Sequence, residues 1–377
     1  MKKFLPVILC LLLTGLLHGA AIGEAAPELD LGPVLQGKKF RLADMRNKKI
    51  TVLHFWKNGC PPCAQAVAMI NELAALYRGK VEFIAIGAGM PQELRRENHW
   101  KEFKCPVVSD SLLKTTELYM PQGSHFPMDA VIGKDGKLLW TGPTTTLAGI
   151  LGEVIEGKYD LAAAVALDRF NREMKTAMNR KDYQAALKVL RARRQAFPGD
   201  PMLAIAEANI LAGHCKKTED GLQVLDKEIA KYPQLYMLYQ AKMQILQHTT
   251  PTDDPRRIRL YQDIAAAFRN RPQLLIQLAS NMMKKKVGSF ELLGVYHLAY
   301  AAYHSPASRS RLDKGRAAAA LARIYYYIGL PERAVIYQAE AVDLLKKTPD
   351  ARRCATDLAF YRSTLIAAEA VKKLEKK

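Results

Sequence analysis

Near residue 157 the hydrophobic rhythm of this chain changes, and that change restricts what it can fold into. Before it, short β-rich runs alternate with helical segments. Residues 50–56 (Ile-Thr-Val-Leu-His-Phe-Trp) and 81–86 (Val-Glu-Phe-Ile-Ala-Ile) read as strands. Residues 129–133 and 138–140 flank Lys134-Asp135-Gly136-Lys137, whose Asp-Gly marks a hairpin turn. Helical patterns fall at 61–78, 91–103, 111–120 and 144–156. That succession predicts an α/β sandwich with a mixed sheet over residues 26–157. From 158 to 377 almost nothing reads as a strand, and apolar residues recur at helical spacing. A chain of 377 residues also exceeds one ordinary core, so two domains are expected. With 49% hydrophobic and 25% charged residues, the composition excludes a disordered or fibrous chain.

Residues 1–25 predict a secretory signal peptide. Lys2 and Lys3 precede an apolar run from Phe4 to Leu17, and small residues follow through Ala26. The run is shorter than the ~20 residues a spanning helix needs. Cleavage is expected between Ala20 and Ala26, with an uncleaved anchor as the alternative. Cys10 would leave with the signal. The mature chain is then extracytoplasmic, in the periplasm, where disulfide chemistry is routine.

The helical half carries a repeat signal. Tyr183-Gln184-Ala185-Ala186-Leu187 leads into a basic helix that stops at Phe197-Pro198-Gly199-Asp200-Pro201, and a similar helix stops at Tyr232-Pro233. Ala322, Tyr325, Ala334 and Ala341 take the small and aromatic positions of a tetratricopeptide repeat, around a turn at Leu330-Pro331. A degenerate tetratricopeptide-like array over 158–377 is the expectation, with an unrelated helical bundle as the alternative and the poorest fit at 240–310. Charge is divided unevenly: net +2 over 26–157 and net +16 over 158–377. A protein partner on the basic helical domain follows, the natural counterpart being an acidic protein surface or anionic headgroups rather than nucleic acid. A solvated basic face is the competing explanation.

The chemistry concentrates in Phe55-Trp56-Lys57-Asn58-Gly59-Cys60-Pro61-Pro62-Cys63, after a strand and opening a helix. Two cysteines three apart across a first helical turn can form a small disulfide. Cys60 at the helix N-terminus is favoured as a thiolate by the unpaired amides and macrodipole. Pro61 and Pro62 cost no hydrogen bond there. In this reading Cys60 attacks a substrate disulfide and Cys63 resolves the mixed disulfide. A zinc half-site would need a second ligand pair, which the scattered Cys105, Cys215 and Cys354 do not offer, so no metal and no cofactor beyond the cysteines is expected. A purely structural disulfide is the other alternative. Ser124-His125-Phe126-Pro127 precedes a strand, where a proline cannot join a ladder; a cis bond at Pro127 would explain it and leave the preceding backbone free for an extended substrate.

These residues bring a family into view. Residues 26–157 resemble the TlpA/ResA group of thioredoxin-fold, extracytoplasmic thiol–disulfide oxidoreductases. The shared features are Ala26-Pro27-Glu28-Leu29 with Gly37-Lys38 and Leu42-Ala43-Asp44 as an N-terminal hairpin, Phe55-Trp56, Cys60-Pro61-Pro62-Cys63, Pro106-Val107 with Asp110, Tyr119, Phe126-Pro127 and Gly133-Lys134-Asp135-Gly136-Lys137. The resemblance implies Cys60 as nucleophile, Cys63 as resolving thiol and Pro127 as the cis proline of a substrate groove formed with Trp56, Gly59, Pro61, Pro62 and Phe126. Gly59 departs from the group, which usually has tryptophan there, and Ala66 and Ala68 replace a common glutamate and proline. His54 lies six positions before Cys60, where thioredoxin carries a buried acid; it is expected either to help deprotonate Cys63 or to be a packed strand histidine. Cys105 is expected as a buried thiol or a third redox thiol, and a Cys215–Cys354 bridge is conceivable.

Three functions compete at this stage. The first is a reductase of protein disulfides fed by a membrane-bound electron donor. The second is an oxidase or isomerase of the same fold. The third is a redox-sensitive binding scaffold. A peroxidase lacks its Pro-x-x-x-Thr-x-x-Cys arrangement ahead of Cys60.

Overall fold

The computed structural model describes residues 20–120, 124–283, 289–308 and 310–375. The expected signal peptide, with Cys10, lies almost entirely outside the described residues. Two compact units divide the chain, residues 1–173 and 174–377.

The first unit is a thioredoxin-like α/β fold. Its strands are β1 (Val34–Gln36), β2 (Ile50–Trp56), β3 (Val81–Ala88), β4 (Val107–Asp110), β5 (Met128–Ile132) and β6 (Leu138–Pro143). They form one sheet in the order β1-β4-β3-β2-β5-β6. β2, β3 and β4 run parallel, and β1, β5 and β6 pair antiparallel to their neighbours. The parallel central strands are buried on both faces, which explains their unbroken apolar runs. The period of two then sorts the side chains. Val52, Trp56 and Val131 join Cys63 in one core layer, and Leu53, Phe55, Ala130 and Ile132 join Leu42 and Tyr119 in the other.

The helices of this unit are α1 (Pro61–Leu76), α2 (Pro91–Leu94), α3 (Lys114–Tyr119) and α4 (Leu147–Glu156), followed by α5 (Leu161–Asn179), which runs across the division between units. Two expectations change here. The helix over 91–103 breaks into α2 and a 3-10 turn, His99–Glu102, because Asn98 and the flanking residues do not sustain a helical ladder. The N-terminal hairpin is a single short strand, β1, that pairs with β4 rather than with a neighbouring N-terminal strand; an isolated bridge joins Ala25 to Lys137.

The second unit is helical throughout its described residues: α6 (Tyr183–Ala196), α7 (Pro201–Asn209), α8 (Thr218–Lys231), α9 (Tyr236–Thr249), α10 (Pro255–Ala267), α11 (Pro272–Met283), α12 (Ser289–Tyr303), α13 (Arg311–Tyr327), α14 (Pro331–Leu345) and α15 (Ala351–Glu375). Asp182, Asp200, Asp254 and Ser310 cap four of these helices by accepting first-turn amides. The expected small positions Ala322, Ala334 and Ala341 are all fully buried, as is Ala186 of the Tyr183–Leu187 segment. The largest core cluster spans α7 to α13 and covers the 240–310 region where the repeat pattern was weakest. Buried charges lock α6, α7 and α8 together. Glu207 takes Arg191 at 2.7 Å and Arg194, and Glu228 takes Arg194 at 3.0 Å and Lys231 at 3.3 Å. Arg257 donates from one nitrogen to the carbonyls of Leu246, Gln247 and Thr250, closing the end of α9.

Candidate active site

The two cysteines are joined. Cys60 and Cys63 form a disulfide with Cα atoms 5.3 Å apart. Their environments differ: Cys60 is half-buried, whereas Cys63, in the first turn of α1, is fully buried. Cys60 is the N-cap residue of α1, and the Cys63 amide donates to its sulfur at 3.3 Å. This helix-terminal amide would stabilise a Cys60 thiolate once the bond is reduced. Pro61 and Pro62 occupy the first turn and are exposed.

Across from the disulfide, the Phe126–Pro127 peptide is cis. The Phe126 carbonyl oxygen lies 3.8 Å from Cys60 Sγ. The end of the loop leading into β5 therefore stands against the outer sulfur, and Phe126 and Pro127 are both half-buried there. Lys57 Nζ sits 5.4 Å from the Phe126 ring centre. Gly59 has φ +65°, and a Cβ added to it would meet nothing within 4 Å, so the flank of Cys60 is open.

Of the residues expected to line a groove, Gly59, Pro61, Pro62, Phe126 and Pro127 surround Cys60. Trp56 does not. It is fully buried, because its place in β2 points it into the layer under α1, where it packs against Phe103 and edge-on against His99. It supports the site from beneath.

His54 is also fully buried, on the same face of β2 as Val52 and Trp56, and therefore in the layer that holds Cys63. Strand register sets it opposite Asp129 of β5, and His54 Nδ1 lies 2.8 Å from Asp129 Oδ1. Both side chains are fully buried. Asp129 Oδ2 and His54 Nε2 have no hydrogen-bond partner, an uncommon condition for buried polar atoms.

Two residues escaped the sequence reading. Asp129 is an acid inside the otherwise apolar stretch Met128–Ile132, and that mismatch was its one signal. Glu97 accepts a hydrogen bond from the Gly59 amide at 2.7 Å and approaches His99 Nδ1 at 3.2 Å. It follows a short helix, and nothing local in its sequence points to Gly59.

The other cysteines among the described residues, Cys105, Cys215 and Cys354, are free, so the conceivable Cys215–Cys354 bridge is not formed. Burial pushes the Cys105 thiol up to about 12 and also raises that of Cys354. Cys105 is thus a packed thiol beside Phe103 and Val107 rather than a reactive one. Among the described residues no group of three or more His, Cys, Asp or Glu side chains could hold a metal ion.

Fold and site together make the first unit a thioredoxin-like domain of the thiol–disulfide oxidoreductase class. Comparison with known proteins falls on the same stretch: residues 22–141 match the AhpC/TSA family. The chain is 31% identical over 98 residues to the thioredoxin-like protein YneN of Bacillus subtilis, a match covering 23% of this chain and 56% of that protein. It thus spans about half the length of the curated relative. Among solved structures, it resembles the exposed lipoprotein thioredoxin of Streptococcus pneumoniae at 22% identity, covering 34% of this chain and 99% of that one with a TM-score of 0.29. A DsbF homologue from Corynebacterium diphtheriae is 20% identical, with coverage of 35% and 88% and a TM-score of 0.30.

Proposed function

We propose that this chain is an extracytoplasmic reductase of protein disulfides. In the dithiol state, the Cys60 thiolate attacks one sulfur of a substrate disulfide and releases the other as a thiolate, which takes up a proton. Cys63 loses its proton and attacks Cys60 Sγ. The mixed disulfide breaks, the substrate leaves as a dithiol, and the Cys60–Cys63 bond reforms with two electrons transferred. A membrane-bound dithiol donor returns those electrons by the reverse exchange. The observation that carries this reading is the inequality of the two sulfurs: Cys60 is reachable and abuts the Phe126 carbonyl, while Cys63 is fully buried on the core side of α1. No cofactor beyond the disulfide is needed for these steps.

His54 and Asp129 fit the proton step. They are buried in the Cys63 layer, and a His–Asp pair there offers an internal acceptor for a thiol that water does not reach. The location reading rests on the signal-peptide pattern of residues 1–25. Among the described residues no helix is long and apolar enough to cross a membrane. The helical unit is read as a tetratricopeptide-like partner-binding domain, supported by its buried alanines and its net charge of +16 over 158–377.

The deciding experiment is the reduction potential of the Cys60–Cys63 pair in the mature protein, measured against defined thiol buffers. A value near about −270 mV supports the reductase, and one above about −180 mV replaces it with an oxidase or isomerase. A pair that does not cycle leaves only the scaffold.

A further inference from the structure

The second unit contains a cleft of about 250 Å³ between α11, α13 and α15. Part of its wall is small or apolar, Ile276, Ala279 and Ala320 among the residues, and leaves room for an entering group. Three guanidinium groups stand around it: Arg316 and Arg323 from α13 and Arg353 from α15. Arg316 and Arg323 are seven residues apart, two helical turns, so they share a face about 10 Å apart along the axis.

Two carboxylates also line the cleft. Asp350 takes Arg316 Nε at 2.8 Å and Arg353 Nη2 at 3.3 Å. Asp357 reaches Arg323 Nη2 only at 3.9 Å, and Arg323 also interacts with the Tyr361 hydroxyl. Each guanidinium has five N–H donors in a planar fork that matches a carboxylate. Three cations against two acids leave one positive charge, and the contact to Asp357 is too long for a good hydrogen bond. Residues 158–377, which include the cleft, carry a net charge of +16.

We propose that this cleft binds an aspartate or glutamate side chain presented by an acidic partner protein. Space for a side chain, a fork of arginines and partly apolar walls suit a carboxylate on a peptide better than a cationic group. Asp350 and Asp357 act as internal stand-ins that hold the arginines in place and compete with the entering carboxylate. The proposal rests on the reading of the helical unit as the partner-binding half of the protein. It does not depend on dithiol turnover.

The test uses the oxidised full-length protein and an N-acetylated, C-terminally amidated hexapeptide with a single central glutamate among alanines and leucine, titrated by NMR or calorimetry. Its twin carries glutamine instead. The glutamate peptide is expected to bind at least about tenfold tighter. Arg323→Lys, which keeps the charge and loses the fork, should weaken it several-fold. Asp350→Asn, which removes the internal competitor, should tighten it. Equal binding of the two peptides, no binding, or an Asp350→Asn variant that binds no tighter would overturn the proposal. Succinate binding as tightly as the peptide would overturn it too, in favour of a small carboxylate. Because the readout is binding, failure here is distinct from failure of the dithiol to cycle, which is read by the potential.

Discussion

Two buried polar clusters, one in each unit, are satisfied to opposite degrees. In the helical unit, the buried acids Glu207 and Glu228 each meet two basic side chains among Arg191, Arg194 and Lys231, and buried Arg257 meets three backbone carbonyls, the Thr250 hydroxyl and, at 3.6 Å, Glu291. In the thioredoxin-like unit, buried His54 and Asp129 satisfy each other once, and each keeps a buried atom with no partner. A saturated buried network stabilises a fold, whereas a half-satisfied one costs stability and is retained where chemistry uses it. In the proposed function, that difference separates a frame from a working part.

The largest effect should come from the cysteines themselves. Cys60→Ser is expected to reduce disulfide-reductase turnover to background in an insulin-turbidity assay. Cys63→Ser should still attack and should accumulate the mixed disulfide on non-reducing gels. If Cys63→Ser formed no mixed disulfide while Cys60→Ser accumulated one, the assignment of attacker and resolver would be reversed. Next is the frame: Glu207→Ala takes the buried acid from half-exposed Arg191 and leaves Arg194 with Glu228 alone, and should cost about 1–2 kcal/mol in denaturant unfolding, with the potential of Cys60–Cys63 unchanged. A stability loss under 0.5 kcal/mol would break the comparison from the helical side.

His54→Ala tests the other side. We expect resolution by Cys63 to slow roughly 10- to 100-fold in single-turnover experiments while attack by Cys60 is spared. Asp129→Asn should produce a smaller slowing in the same step. Unchanged rates in both variants between pH 6 and 8 would make the pair another structural contact. The smallest expected effect is at Cys105. Its thiol is pushed up to about 12, so below that pH it stays protonated. Iodoacetamide at pH 8 should leave it unmodified in the folded protein for hours, and rapid labelling would place it among the reactive thiols.

Local chemistry made part of this legible. β2, β3, β5 and β6 announce themselves as apolar runs with a hairpin turn between the last two, and Cys60, Cys63 and Pro127 carry their meaning in short motifs. β1 and β4 do not, because three and four residues give no usable period, and Ser109 and Asp110 are buried despite being polar. Asp129 and Glu97 stayed hidden for a different reason. Their partners, His54 and Gly59, lie 75 and 38 residues away, and only strand pairing or chain reversal brings them together. Trp56 was misplaced because an aromatic beside the motif looks like a wall until the alternation of β2 assigns it to the core.

One disulfide forms among the described residues, and the remaining thiols there are unbridged. In the proposed reaction such a molecule stores a single pair of electrons. It discharges completely at each encounter and must be recharged before the next. Its throughput is then a matter of traffic, set by how often donor and client find it rather than by how many equivalents it can hold. For a carrier of that capacity, a second domain that lengthens or selects encounters raises output more directly than any further thiol would.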